Sequence, residues 1–594
     1  MSETVRPRRR RRRSRRRTRA RVRRVLLTGL IVGSLVAVGG GWVGFRGWQA
    51  RAHLLNAAGL ARQLSTEVVG ADADRAQRTL AALQEQAAAA RDATADPGWS
   101  VGRHTPYAGD DLAAVREIAV AVDELARDAF PALLRTDLST LLPGKGRLDV
   151  NQLRAVSAQL TDTDEVVRRT NARLAAVPTT GLVDAVRQAV TDLRAETDRL
   201  AALTRAADQA ARLLPNLLGA DGPRSYLLVS QNPAELRATG GMFGAYAVIE
   251  AEGGRLRMGA QDAAASLGRF DLSAKLSTEV RNLYTDLVGT YPADVNLTPH
   301  FPTAAALFRA MYRKRSGSTV DGVLAVDPVV LSYLLKATGP VPVPGNTTLV
   351  SDKVVHTLLS DTYQRLDQAR QDEFFAASAA AVFSAFFTRA VDPRALLSAL
   401  DRAIGERRIL FWSAHPAEQR VIAGSRLGGA LPEQENVPTI GVFLNDGSGA
   451  KLGYYLRPSA TLTVGNCRPD GRRQLRLSFT LHSTAPASGL SPSVLGLGLA
   501  GDPYTARTLV SVYSPAGGAV LASRLDGVDL RVGSGLERRR QVVIANVEVR
   551  PGVTRTLEVD VLTGRTGSGD ADLWLTPTAT PWTTQVKSAP LCDQ

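Results

Sequence analysis

The run VLLTGLIVGSLVAVGGGWVGF, residues 25–45, carries no charge and directly follows fourteen arginines packed into residues 1–24. As a helix at about 1.5 Å per residue it reaches roughly 31 Å, enough to cross the hydrocarbon core of a bilayer. A cleavable leader has a shorter apolar stretch of roughly 7–15 residues and a small-x-small site, and neither is evident. The arginine flank holds the N-terminus in the cytoplasm, and Trp42, Phe45 and Trp48 fall where an outer aromatic belt would lie. The expectation is a single-pass cell-membrane protein with the bilayer as a partner and residues 46–594 extracytoplasmic.

The net charge of +16 raises the question of nucleic acid. Of 73 basic and 57 acidic residues, fourteen and one (Glu3) lie in residues 1–24, leaving a nearly balanced 59 against 56 elsewhere. No aromatic residue interleaves that basic tail, which argues against nucleic-acid binding. The tail reads as a topology signal or as a contact for anionic lipid or a cytoplasmic partner.

Only Cys467 and Cys592 are present, both on the external side of the expected span. In an oxidising compartment they form one disulfide; two free thiols are the alternative. The six histidines are scattered, with no zinc-binding spacing.

Residues 46–217 read as an extracytoplasmic helical region, a stalk of Ala- and Leu-rich helices broken near Pro97, Pro131, Pro143 and Pro178. Residues 222–455 read as an α/β domain. There Asp327-Pro328 and Asp392-Pro393 supply a capping carboxylate and a first-turn proline to two helices. Residues 352–388 form a further long helix with a possible break. Residues 456–594 lose helical periodicity and read as an all-β sandwich. The fold class expected is therefore multidomain: one N-terminal transmembrane helix, an α-helical stalk, an α/β domain and a C-terminal all-β sandwich.

Three stretches offer chemistry. In QNPAELRATGGMFGAY (231–246), Arg237 presents a planar fork of donors suited to phosphate or carboxylate, with Thr239 beside it. Gly240 and Gly241 permit close backbone approach. A hairpin turn with an Arg–Glu surface pair is the plainer reading of these residues. In DVNLTPHFPTAAALFRAMYRKR (294–315), Asp294 and Asn296 are oxygen ligands that a magnesium ion uses; a capped helix after a polar loop is the plainer reading. On the long helix, Asp361, Arg365, Gln368 and Asp372 form one polar stripe, with Arg370 beside it; a solvated, charge-paired face explains it as well. No nucleophile elbow, Walker loop or dinucleotide fingerprint is present.

The stretch from Gln231 to Gly241 resembles the hallmark of an extracytoplasmic bacterial family known only as domain of unknown function 4012. GRHTPYAGDDLAAVREIA (102–119), DVNLTPHFPTAA (294–305), VDGVLAVDPVVLSYLLKATGPV (320–341), WSAHPAEQ (412–419) and GVFLNDGSGAKLGYYL (441–456) extend the resemblance. The family brings a location and an architecture but no activity.

The order of elements is also similar to the LytR–CpsA–Psr phosphotransferases, which move glycopolymers from a polyprenyl-pyrophosphate carrier to peptidoglycan. VDGVLAVDPVVLSYLLKATGPV and RQDEFFAASAAAV, from Arg370, carry that similarity. The chain lacks Pro-Arg-Asp after the second strand, and Ala238-Thr239 stands where an aspartate accompanies the arginine. The resemblance therefore implies a pyrophosphate site at Arg237, Arg365 and Arg370 and leaves catalysis open.

The functional expectation is a membrane-anchored envelope protein that binds or transfers a polyprenyl-carried, pyrophosphate-linked cell-wall glycopolymer precursor. Peptidoglycan would be a further partner, and a divalent cation would assist any transfer. The alternative is a non-enzymatic envelope scaffold. A sensor signalling through the arginine tail is a third class.

Overall fold

The computed structural model describes residues 34, 37–64, 67, 73–135, 146–389, 391–566 and 569–590. Contacts separate two units, Met1–Asp137 with Asn151–Arg212 and Leu138–Val150 with Leu213–Gln594.

The first unit is helical. It contains a helix over residues 37–64, then Ala73–Thr94, Pro97–Gly102, Gly109–Glu124 and most of Val150–Ala175 and Asp184–Leu217. Pro131 lies inside Phe130–Arg135 without ending the helical path, because a π turn at Leu125–Ala129 immediately precedes it. Leu64, Leu80, Leu83 and Ala126 share one buried cluster. Asp123, buried beside it, is held by Arg91 at 2.6 Å and Arg127 at 2.9 Å.

The second unit begins with a mixed sheet. Strands β1 (Arg224–Asn232), β2 (Met242–Glu252) and β3 (Arg255–Ala263) form an antiparallel meander. On its other edge β1 pairs in parallel with β4 (Gly322–Val326). A short hairpin, β5 (Val341–Val343) and β6 (Thr347–Leu349), follows. Strand β7 (Leu410–Ser413) closes the mixed sheet antiparallel to β4.

One face of this sheet, through Leu227, Val229 and Val323, packs on Phe301, Ala304 and Phe308 of the helix Phe301–Ser316. Opposite lie the helices Pro328–Thr338 and Pro393–Gly405, each started by the aspartate–proline device expected of it. Asp327 accepts from the amides of Val329 and Val330, and Asp392 from those of Arg394 and Ala395. The long helix does break: Leu366 is extended, and Asp367 caps a new helix, Gln368–Thr388.

Two further sheets face each other as a sandwich. One contains β8 (Thr439–Asp446), β11 (Ala506–Tyr513), β14 (Gly533–Glu537), β15 (Arg540–Val549) and β17 (Asp572–Leu575), in the order β14-β15-β11-β8-β17. The other contains β9 (Leu456–Cys467), β10 (Arg473–Ser483), β12 (Ala519–Leu525), β13 (Val528–Asp529), β16 (Thr554–Leu562) and β18 (Thr583–Lys587). Its order is β13-β12-β16-β10-β9-β18. Alternation along β10 sends Leu475, Leu477, Phe479 and Leu481 inward, against Val442 and Leu444 of β8 and Val510 and Val512 of β11.

The expected fold class is corrected on two counts. Among the described residues no helix is long and apolar enough to cross a membrane. Residues 25–33, 35 and 36 of the expected span lie outside the described residues, and the helix over 37–64 already carries Arg46, Arg51 and Arg62. Second, the chain does not resolve into an α/β domain followed by a separate all-β sandwich. It mixes helices with several sheets, and both sheet systems lie in one unit. The physical reason is β8, which is buried on both faces. Ile440, Val442 and Leu444 enter the sandwich core, while Phe443 packs against Ala238 and Trp574.

Candidate functional site

The chain leaving β1 at Asn232 turns through Pro233–Gly241 and re-enters the sheet as β2. Gly241 is required there: a β-carbon on it would lie 2.2 Å from the carbonyl carbon of Asn232 and 2.4 Å from the Pro233 nitrogen. The close approach turns the loop's polar side chains inward. Gln231, Arg237, Thr239 and Asn296 are all buried, Asn296 completely.

Those side chains hydrogen-bond one another, while Gln231 Nε2, Asn296 Oδ1 and Arg237 Nε are buried without a partner among the described residues. Thr239 Oγ1 donates to Gln231 Oε1 at 2.6 Å. The Asn296 amide donates to Thr239 Oγ1 and to the Gly241 carbonyl, both at 2.8 Å. The Ala238 amide donates to Asn445 Oδ1 at 2.9 Å, and Asn445 Nδ2 donates to the Leu297 carbonyl at 3.1 Å. Thr576 completes the join, donating to the Ala238 carbonyl and accepting from the Leu444 amide. Three segments distant in sequence are thereby tied to β8.

Arg237 is occupied within this knot. Its Nη2 donates to Asp294 Oδ1 at 2.9 Å, and its Nη1 to the Leu236 carbonyl at 2.9 Å. Glu235 lies 3.7 Å away and is also 3.8 Å from Lys451 Nζ. Burial pushes the Glu235 carboxyl above its ordinary range, opposed by the charges of Arg237 and Lys451. Of the oxygens expected for magnesium, Asp294 Oδ1 accepts from Arg237, while Asn296 commits its amide nitrogen to Thr239 and the Gly241 turn and its Oδ1 is buried without a hydrogen-bond partner among the described residues. Among the described residues no group of three or more His, Cys, Asp or Glu is placed to hold a metal ion.

Arg365 and Arg370 are not brought to the loop. Their side chains are 76% and 71% exposed, and they pair with Asp361 at 3.8 Å and Asp367 at 3.5 Å. Gln371, beside Arg370, is instead buried and donates to the Leu366 carbonyl and Ser493. Cys467 is disulfide-bonded, and Cys592 lies outside the described residues.

The other quoted stretches also turn inward. Thr298 donates to Glu537 Oε1 at 2.8 Å, and Tyr513 donates to Glu537 Oε2 at 2.5 Å. Burial pushes the Glu537 carboxyl up, against the pull of those two hydroxyls. His300 Nδ1 accepts from the Leu431 amide at 3.0 Å, and burial lowers the imidazole to a pKa of about 3. In WSAHPAEQ, Ser413 Oγ donates to Glu418 and the Ser413 amide to Gln419, closing the turn into the helix Pro416–Ala423.

Sequence reasoning missed Arg407, which follows the helix Pro393–Gly405. It takes a left-handed backbone (φ 55°) and stacks on Trp574. Glu406-Arg407-Arg408 reads as ordinary charge at a helix end. Arg408 is spent on a buried pair with Asp327 at 2.7 Å, whereas Arg407 has no such partner among the described residues.

The mixed sheet is thus joined to the sandwich through a buried polar knot. Residues 221–363 match the family model described as a protein of unknown function, DUF4012. That supports the resemblance drawn from the signature at 231–241. No curated protein and no solved structure matches the chain.

Proposed function

We propose that the chain is a non-enzymatic interaction scaffold of the cell envelope. The observation that carries this reading is the employment of the signature residues. Thr239, Asn296 and Arg237 donate to fixed internal partners, Gln231, the Gly241 turn and Asp294, inside the loop network that Asn445 ties to β8. A group committed to a fixed internal partner costs desolvation and pairing energy to redirect toward a substrate. The disulfide at Cys467 supports an oxidising, extracytoplasmic setting.

A second reading keeps a pyrophosphate-linked glycopolymer precursor as the ligand at Arg237. What favours it is the Arg237 Nε atom, which is buried without a hydrogen-bond partner among the described residues.

One experiment separates the two. Purified full-length chain is incubated with isolated peptidoglycan and a polyprenyl-pyrophosphate-linked oligosaccharide. The scaffold reading expects co-sedimentation with the wall polymer and no release of the polyprenyl carrier. Carrier release that is lost in a folded Arg237→Ala variant would overturn it.

A further inference from the structure

In the second unit Arg407 is a partly buried guanidinium that no carboxylate among the described residues pairs with. Arg407 makes no side-chain hydrogen bond or salt bridge among the described residues, and its Nε is buried without a partner. The nearest carboxylate with an electrostatic effect on it, Asp572, is itself paired with Arg426 at 3.5 Å. Burial and the neighbouring Arg426 lower Arg407 to a pKa of about 10, so it remains a cation at neutral pH.

Arg407 also sits where an arginine is unfavourable. It is two residues past the end of the helix Pro393–Gly405, and its positive φ belongs to the position that glycine ordinarily fills after a helix. Side chains pay for the left-handed region, and strain of this kind gathers at ligand sites. What holds the side chain is Trp574, whose ring centroid lies 4.0 Å from the guanidinium carbon. That stacking leaves the edge of the guanidinium available for hydrogen bonding.

Arg407 lines a notch. Ala238, Thr239, Pro299, Leu410, Gly429 and Pro577 complete its wall with Trp574, and the water-accessible room inside is about 10 Å³. Such a space admits one oxygen-sized group rather than a sugar or aromatic ring. Thr239 contributes bulk only, since its hydroxyl already donates to Gln231 and accepts from Asn296.

We propose that this notch receives one oxygen of a terminal phosphate group whose remaining oxygens stay at its mouth, held by the unpaired Arg407 guanidinium through charge-assisted hydrogen bonds. A guanidinium's planar fork matches phosphate oxygens, and a partly desolvated cation with no carboxylate partner is complementary to a dianion. The site does not rest on the scaffold reading: its one charged group, Arg407, lies outside the polar knot, and Ala238 and Thr239 of the knot contribute only wall.

The test is calorimetric titration of the full-length chain with inorganic phosphate at constant ionic strength, with acetate and a short-chain prenyl phosphate as parallel arms. Saturable phosphate binding is expected, weakened at least tenfold by Arg407→Gly and less by Arg407→Lys. Arg407→Gly should melt at the same temperature as the parent or higher, since glycine relieves the left-handed strain, so loss of binding will not reflect unfolding. Prenyl phosphate binding as tightly as phosphate identifies the free group as the ligand, and tighter binding identifies a lipid-linked one. Absence of saturable phosphate uptake, equal uptake by Arg407→Gly, or acetate binding as tightly as phosphate would each overturn the assignment.

Discussion

Asn445 clamps Ala238 in place: its Oδ1 accepts the Ala238 amide at 2.9 Å while its Nδ2 donates to the Leu297 carbonyl at 3.1 Å. One side chain on β8 thus satisfies backbone groups from the 233–241 loop and from the segment before the helix Phe301–Ser316. Asn445→Ala should leave both groups unpaired in a buried setting, at about 1–3 kcal/mol for each lost partner. The check is a urea midpoint on the full-length chain. Asn445→Asp should not rescue it, since the carboxylate keeps the acceptor but loses the donor and buries a charge. An unchanged midpoint for Asn445→Ala would mean that water takes over both contacts.

Gly241→Ala tests the close approach directly. A β-carbon would meet the Asn232 carbonyl carbon at 2.2 Å, and both sides of that contact are backbone, so neither can rotate away. The cost should reach or exceed the upper end of the ~1–3 kcal/mol typical of overpacking. A control is Gly253→Ala, on the β2–β3 turn, where a β-carbon meets nothing within 4 Å. Its positive φ of 55° leaves only a backbone penalty, roughly 1–2 kcal/mol. Equal melting temperatures for the two variants would refute the steric account.

These two sites show what could be read from sequence and what could not. Asp327-Pro328 and Asp392-Pro393 announced their helices because capping is local: the carboxylate and the amides it serves are two or three residues apart. The alternating strands of the sandwich were legible for a similar reason. Asn445 was not, because its partners lie 207 and 148 residues away. The same non-locality misdirected Arg237. Its fork of donors was visible, but Asp294, which occupies it, is 57 residues on. Residues 439–445 were read as another α/β strand, since an apolar run does not show that both its faces will be buried by different partners. Arg407 carried no sequence signal, because a left-handed φ is announced only by glycine or asparagine.

Glu537 should make the fold less stable as the medium becomes more alkaline. Its carboxyl is raised by burial above the ordinary 4.5. Below 4.5 the folded and unfolded states are both protonated, and its contribution is fully present. As pH rises the unfolded state releases the proton first, and stability falls by up to about 1.4 kcal/mol per unit until the folded pKa is passed. Glu537→Gln removes this term, so denaturant midpoints at pH 5 and pH 8 should differ less for the variant than for the parent. A variant with the parent's full pH dependence would show that Glu537 stays ionised in the fold.

His300 has the opposite pH dependence. Its imidazole accepts the Leu431 amide at Nδ1 and is held neutral, with a folded pKa of about 3 against 6.5 unfolded. Above 6.5 neither state binds a proton there, and the neutral ring's contribution is complete. As pH falls below 6.5 only the unfolded chain takes up the proton, so the fold loses about 1.4 kcal/mol per pH unit from this residue down to about 3. Glu537 gains stability over part of the same range, so the parent's overall profile is ambiguous. The difference between parent and His300→Gln isolates the histidine, because glutamine supplies an acceptor without titrating. Urea midpoints measured from pH 7.5 to 5 should converge as the parent loses its advantage, or cross if glutamine is the better acceptor. Parallel curves would mean that His300 is protonated in the fold and that the Leu431 amide has another acceptor.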